Sequence, residues 1–180
     1  MDKLILRVKE VTLKPNEAWV AIKAEETTVM SIIMKYLLFL AIIPGVAFYL
    51  RHLRETAAVA LIGALLFFVL SIVGAYLGGK LIEMLAGQFS ATTTEVDAFK
   101  LVAYSLTPAL IGSVFLILPW LSGLMFIVAL YSLYLVYTGF PVFLTCPDEK
   151  RLPFSIVSMV IVYAVFVAAY YIARVFAVIF

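Results

Sequence analysis

The sequence has 180 residues, of which 66% are hydrophobic and 13% are charged. Soluble domains average about 45 to 50% hydrophobic and about 25% charged residues, so this composition excludes an ordinary soluble domain and indicates a membrane protein. The net charge is only +2, and the few basic residues lie beside apolar segments, so we do not expect nucleic-acid binding. A single cysteine excludes an intramolecular disulfide and a multi-cysteine zinc site.

Residues 1–28 form a mixed, charged segment that precedes the apolar region. Between residues 3 and 14, apolar side chains recur at helical spacing and basic ones occupy another face. This pattern is typical of an amphipathic helix that lies on a membrane surface or docks on a partner. Pro15 ends that helix, and Asn16 is placed to cap a second one. We expect the second helix to lie at the membrane interface, with Trp19 as its interfacial anchor.

Five apolar segments are long enough to cross a bilayer. A crossing needs about 20 residues, because a helix rises about 1.5 Å per residue through about 30 Å of hydrocarbon. The alternative is that one segment is re-entrant, either the first or the proline-containing third. We therefore expect an all-α membrane protein with a five-helix transmembrane domain over residues 29–180. Its predicted spans are about 29–50, 56–79, 101–118, 121–144 and 152–175.

The basic residues predict the orientation, because lysine and arginine concentrate on the cytoplasmic side of membrane proteins. With the amino terminus inside and the carboxyl terminus outside, ten of the 13 basic residues lie inside and three lie outside. Without the first 35 residues the ratio is four to three, so the orientation depends on the amino-terminal segment. The inside residues are Lys3, Arg7, Lys9, Lys14, Lys23, Lys35, Lys80, Lys100, Lys150 and Arg151. The outside residues are Arg51, Arg54 and Arg174.

The polar segment from 80 to 100 carries two neighbouring carboxylates, Glu95 and Asp97. Thr94 and Asp97 have the spacing of a helix cap. The carboxylates therefore either cap the start of the third span or form a cytoplasmic acidic site for a cation or a basic partner. We expect this segment, the amino-terminal segment and the 145–151 loop to meet on the cytoplasmic face.

The interior of the predicted spans is uncharged near the middle, which argues against a coupled pump or an ion channel. Gly74 and Gly78 lie four residues apart on the second span and are predicted to let another helix pack closely. Pro108 on the third span removes the donor for the carbonyl of Tyr104, so a nearby hydroxyl or a partner must satisfy that carbonyl.

Polar residues gather on the third and fourth spans. If these two polar faces meet, they form a seam that is either structural or holds a lipid headgroup or a small ligand. The predicted seam consists of Tyr104, Ser105, Thr107, Pro108, Tyr131, Tyr134 and Thr138.

Three motifs in order resemble the Yip family of multi-pass membrane proteins: PNEAW at 15–19, AYSLTP at 103–108 and YTGF at 137–140. The resemblance implies a five-helix membrane fold with a cytoplasmic amino terminus. It also implies a relation to trafficking factors that associate with Rab-type GTPases. The short amino-terminal region is similar to that of a compact prokaryotic branch, which implies a prokaryotic plasma-membrane location and leaves GTPase binding open.

Two hypotheses for the function follow. The first is a non-enzymatic scaffold, membrane-organising or trafficking protein that associates with lipid, with itself as a homo-oligomer, or with a cytoplasmic partner. The second is a small transporter or permease for a lipid, metabolite or ion. A water-filled cavity that reaches Tyr104 and Asp97 would favour this second hypothesis over the first. Neither an enzyme nor a cofactor or metal is expected, because His52 and the carboxylates are predicted on opposite sides.

Overall fold

The computed structural model of the protein describes residues 2–53 and 56–179. Arg54, which was assigned to the outside, and Glu55 lie outside the described residues. Within the described ranges most residues are helical, and an isolated antiparallel bridge between Thr92 and Thr145 is the one extended pairing. The all-α fold is therefore confirmed.

Two short helices open the chain: α1, Asp2–Leu13, and α2, Pro15–Ala24. The expectation that Asn16 caps the second helix is wrong. The helix begins at Pro15, and the residue before it makes no side-chain cap hydrogen bond. Proline lacks an amide proton and has a helical φ, so it is favoured at the first helical position, where no acceptor is required. The two helices form a hairpin, which we call the amino-terminal hairpin.

Five further helical segments are long and apolar enough to cross a membrane, as predicted. We call them spans one to five. They cover Val29–His52, Ala57–Phe89, Glu95–Ile117, Pro119–Phe143 and Asp148–Ala177.

The first three spans begin in the same way. The hydroxyls of Thr28, Thr56 and Thr94 each accept a hydrogen bond at 3.2 Å from the amide three residues further on. Such caps satisfy one of the amides that have no partner within the helix. The start of each of these spans is therefore specified locally by its threonine.

The helical segments within the spans are of several kinds. In span two the α-helix runs from Ala57 to Ala86, and Lys80 and Glu83 form an ion pair at 2.7 Å within its last turns. Span one contains a π-helical turn between two α-helices, and span three changes pitch after its proline. The remaining bounds are Val29–Ile32, Ile33–Leu37, Leu38–His52, Gly87–Phe89, Glu95–Ser105, Thr107–Gly112, Ser113–Ile117, Pro119–Leu121, Ser122–Phe143 and Asp148–Ile179.

Span three lies at the centre of the bundle. In its most apolar stretch 78% of the residues are buried by protein, against 28 to 39% for the other spans. Spans two and three approach each other closely because Gly79 of span two has no side chain. A Cβ at Gly79 would lie 2.9 Å from the Cα of Phe99 in span three. Spans one, two and four therefore pack directly against span three, span five packs against spans two and four, and these four spans expose their outer faces to lipid.

Three polar segments meet at one end of the bundle, as predicted. The backbones of Thr92 and Thr145 exchange two hydrogen bonds, of 2.9 and 3.1 Å, which join the loop before span three to the loop before span five. Lys150 donates to the hydroxyl of Ser90 at 2.9 Å. The amino-terminal hairpin packs at the same end, which we call the capped end.

Candidate functional site at the capped end

Trp19 attaches the amino-terminal hairpin to the bundle. Its side chain is wholly buried, and its indole N–H donates to the hydroxyl of Thr138 at 3.0 Å. The ring also packs edge-on against Phe143, with centroids 5.7 Å apart. Gly139 makes room for it, because a Cβ there would lie 2.9 Å from the indole Cε2. The expectation of an interfacial anchor is therefore corrected: Trp19 contacts protein and not the lipid headgroups.

Charged groups fix the end of α2. Arg7 pairs with Glu25, which follows α2, and Lys23 pairs with Asp97 of span three at 2.5 Å. The ammonium group of Lys100, which is buried, donates to the backbone carbonyl of Glu25 at 2.7 Å and more weakly to that of Lys23 at 3.5 Å. These carbonyls form the negative end of the helix dipole, so a buried cation is stabilised there. Sequence reasoning used Lys100 only as a span boundary and missed this role.

The two predicted carboxylates do not share a site. Glu95 accepts a hydrogen bond from the Tyr76 hydroxyl at 3.1 Å, whereas Asp97 faces Lys23. The Thr94 hydroxyl accepts from the amide of Asp97, as the capping spacing predicts. Among the residues that the structure describes, no group of three or more histidines, cysteines or carboxylates could hold a metal ion. In the structure, both carboxylates therefore have partners within the chain.

The carbonyl that Pro108 leaves without its helical donor is satisfied within the chain, as expected. The Thr107 hydroxyl donates to the carbonyl of Tyr104 at 2.6 Å. The same hydroxyl lies 2.6 Å from the hydroxyl of Tyr36 in span one. The rings of Tyr36 and Tyr104 are in contact, with centroids 4.5 Å apart. Tyr36 lies in the π-helical turn, a feature that is frequent at functional sites.

The other half of the predicted seam faces elsewhere. The Tyr131 hydroxyl donates to the backbone carbonyl of Thr12 in α1 at 2.9 Å, and its ring contacts that of Tyr134, which is 46% exposed. Thr138 bonds Trp19. The seven predicted residues therefore lie in two separate groups, one against span one and one against the amino-terminal hairpin.

Two buried hydroxyls on these spans have no partner. The Oγ atoms of Ser105, a seam residue on span three, and Ser132 on span four are buried and make no hydrogen bond with any described residue. Unpaired buried hydroxyls are costly, so these two serines are weak points of the packing.

Gly74 and Gly78 lie against span five. A Cβ at Gly74 would be 2.6 Å from the Cγ1 of Val165, and one at Gly78 would be 3.5 Å from the Cγ2 of the same valine and 3.3 Å from the Cγ1 of Val102. The pair therefore occupies a close helix contact, the arrangement that small residues four apart favour.

A polar cavity of about 390 Å³ opens between α1 and the start of span one. It reaches Tyr104, but Asp97 lies in a separate depression of about 310 Å³. Sequence reasoning predicted only Tyr104 here, although a lysine followed by a tyrosine within an apolar span was a visible signal. The charged residues and tyrosines that line the cavity are Lys3, Arg7, Glu25, Glu26, Lys35, Tyr36 and Tyr104.

These features define an all-helical, multi-pass membrane protein whose amino-terminal hairpin caps one end of a five-helix bundle. The model of the Yip1 domain family matches residues 9–169, from α1 into span five. The chain belongs to the Yip1 domain family, and the resemblance carried by its three motifs is confirmed. Comparison with curated proteins gives no significant match, and comparison with solved structures gives none either.

Proposed function

We propose that this Yip1-domain protein is a non-enzymatic, membrane-organising scaffold that acts through its capped end. The observation that carries the proposal is the division of the amino-terminal hairpin into two faces. One face buries Val11, Trp19 and Ile22 against the bundle. The opposite face leaves Leu13 75% exposed and Val20 63% exposed, beside the helix-borne lysines. A basic helix with uncovered apolar side chains is suited to the headgroup layer or to a protein partner.

The orientation proposed for this scaffold has the capped end in the cytoplasm and the carboxyl terminus outside, in a prokaryotic plasma membrane. The ten basic residues assigned to the inside support this orientation through the positive-inside bias. Cys146 is a poor reporter for testing it, because the thiol is buried and contacts the carbonyl of Phe89.

The orientation is tested with new cysteines in a Cys146→Ala background. Lys14→Cys on the hairpin should resist an impermeant thiol reagent in intact cells and react after permeabilisation. Trp120→Cys, at a position 78% exposed in the turn before span four, should react from outside. The reverse labelling pattern would exclude the proposed topology.

Association at the capped end is tested by photo-crosslinking in cells. A photoreactive amino acid at Leu13 or Val20 should give adducts with a second copy of the chain or with a cytoplasmic protein. The same amino acid at Ile127, which is 62% exposed on the lipid-facing side of span four, is the matched control and should give lipid adducts. Identical lipid adducts at all three positions would contradict a protein-binding role.

One observation favours a transporter as the second candidate: the polar cavity extends as far as Tyr104. Beyond that point, span three buries the apolar side chains Leu106, Leu110 and Leu116. The hydroxyls buried among them, those of Thr107 and Ser113, donate to carbonyls of the same span and continue no polar path. Flux of a polar solute into proteoliposomes, lost on Tyr104→Phe, would support transport. Proteoliposomes that contain folded protein and remain impermeable to the solute would support the scaffold.

A further inference from the structure

The charges that line the polar cavity are only partly neutralised within the chain. Arg7 is paired with Glu25. Lys3 and Lys35 make no ion pair among the described residues, and neither does Glu26. The cavity therefore contains two lysines and one carboxylate that form no ion pair among the described residues and can bind a ligand. A phosphate group with a neighbouring amine or hydroxyl has the complementary chemistry.

The floor of the cavity adds an uncommitted hydroxyl. Tyr104 is 6% exposed, so more than nine-tenths of it is buried, and it lines the cavity. The hydroxyl of neighbouring Tyr36 bonds Thr107, but that of Tyr104 has no hydrogen-bond partner among the described residues. Unlike the enclosed hydroxyls of Ser105 and Ser132, the Tyr104 hydroxyl is accessible from the cavity and is free to donate. A ligand in the cavity is therefore a suitable acceptor for this hydroxyl.

The depth of the cavity matches the headgroup layer of a bilayer. Ser31, Lys35 and Tyr36 line it from the first eight residues of span one, which begins at Val29. At about 1.5 Å per residue, these side chains start within about 3 to 11 Å of the helix start. The polar layer on each side of the hydrocarbon core is about 5 to 8 Å thick. The phosphate of a lipid in the surrounding bilayer can therefore reach the depth at which the cavity lies.

We propose that this cavity binds the phosphodiester headgroup of a glycerophospholipid, with Lys35 and Tyr104 contacting the phosphate. Lys3 adds positive charge at the entrance, and Glu26 accepts from the terminal amine or hydroxyl of the headgroup. The cavity volume of about 390 Å³ lies at the small end of the range of ligand pockets. This inference rests on the proposed membrane-organising function and names the ligand of one site within it.

Native mass spectrometry of the full chain in gentle detergent tests the assignment. Phosphatidylethanolamine and phosphatidylglycerol are added separately, and the fraction of protein with bound lipid is measured against lipid concentration. Tyr104→Phe keeps the ring that packs on Tyr36 and removes only the hydroxyl, so it should weaken binding about tenfold. Lys35→Gln should weaken it by a similar factor. Lys80→Gln, a lysine of span two outside the cavity, is the matched control and should bind as the unaltered chain does.

A second arm separates membrane lipid from a free phosphate compound. Glycerophosphoethanolamine, which has the headgroup without the acyl chains, should displace the lipid poorly even in large excess, because the chains remain in contact with the bundle. Complete displacement would overturn the lipid as the source of the phosphate.

The remaining outcomes are also decisive. Equal lipid retention by Tyr104→Phe, Lys35→Gln and Lys80→Gln would overturn the site. Circular-dichroism melting of each variant confirms that reduced binding does not come from unfolding. Failure of the site leaves crosslinking at Leu13 intact, whereas failure of the scaffold function abolishes crosslinking and leaves lipid retention unchanged.

Discussion

Replacing Trp19 by alanine should release the amino-terminal hairpin while the five spans stay assembled. Trp19 is wholly buried where α2 meets span four. Truncation of a buried tryptophan to alanine costs about 3 to 5 kcal/mol, including the cavity that remains. Because the spans are held by the bilayer and by one another, this loss falls on hairpin docking. At 1.4 kcal/mol per factor of ten, the docking equilibrium should weaken roughly 100- to 4,000-fold.

Hydrogen exchange of the protein in nanodiscs measures this effect. Amides in residues 2–24 should lose protection by that factor, up to the limit of a fully undocked hairpin, while amides of span two keep theirs. Thr138→Val removes the acceptor of the indole N–H, together with the hydroxyl that donates to the carbonyls of Tyr134 and Leu135. This substitution should cost about 1 to 3 kcal/mol, since the indole donor stays buried.

The sequence contains two tryptophans, so the second provides a matched control. Trp120→Ala, at a position 78% exposed, should leave hairpin exchange unchanged. Unchanged protection of residues 2–24 in Trp19→Ala would refute the reasoning. A uniform loss of protection across the spans would refute it as well, because Trp19 would then stabilise the whole bundle.

Two further substitutions test close contacts. Gly79→Val should lower the melting temperature in detergent, because a Cβ there lies 2.9 Å from the backbone of Phe99, whereas Gly87→Ala, with no atom within 4 Å of the new Cβ, should change it little. A Gly79→Val melting temperature equal to that of Gly87→Ala would contradict the packing. Lys100→Met should speed hydrogen exchange at the end of α2 by roughly tenfold or more, because two carbonyls lose a charged donor. Lys80→Met removes an ion pair of one helical turn and should leave α2 unaffected; equal exchange in the two lysine variants would count against the role of Lys100.

Features set by local composition were predictable from the sequence. The five spans follow from runs of apolar residues of the required length, and the Thr94 cap follows from a spacing of three. The satisfied carbonyl of Tyr104 was predictable because proline removes a donor at a fixed offset and a hydroxyl lay beside it. Each of these inferences uses residues within about one helical turn.

Features set by helix rotation and by distant contacts were not predictable. An apolar stripe on α2 has the same pattern whether lipid or protein covers it, so the sequence did not distinguish burial of Trp19 from anchoring. The predicted seam required spans three and four to turn their polar faces toward each other, and Tyr131 instead contacts α1. Lys100 can be buried because carbonyls 75 and 77 positions earlier in the chain accept hydrogen bonds from its ammonium group.

The central place of span three bears on how the protein is made. Of the five spans it is the least apolar, and it carries the buried polar residues Lys100, Ser105 and Thr107. A nascent chain presents this segment to the insertion machinery before spans four and five exist, when lipid is the only cover for much of its surface. Spans one and two must therefore retain it beside the translocon until the later spans enclose it. Biogenesis is expected to pause at this point, and variants that loosen Gly79 against Phe99 should be degraded during synthesis more than after it.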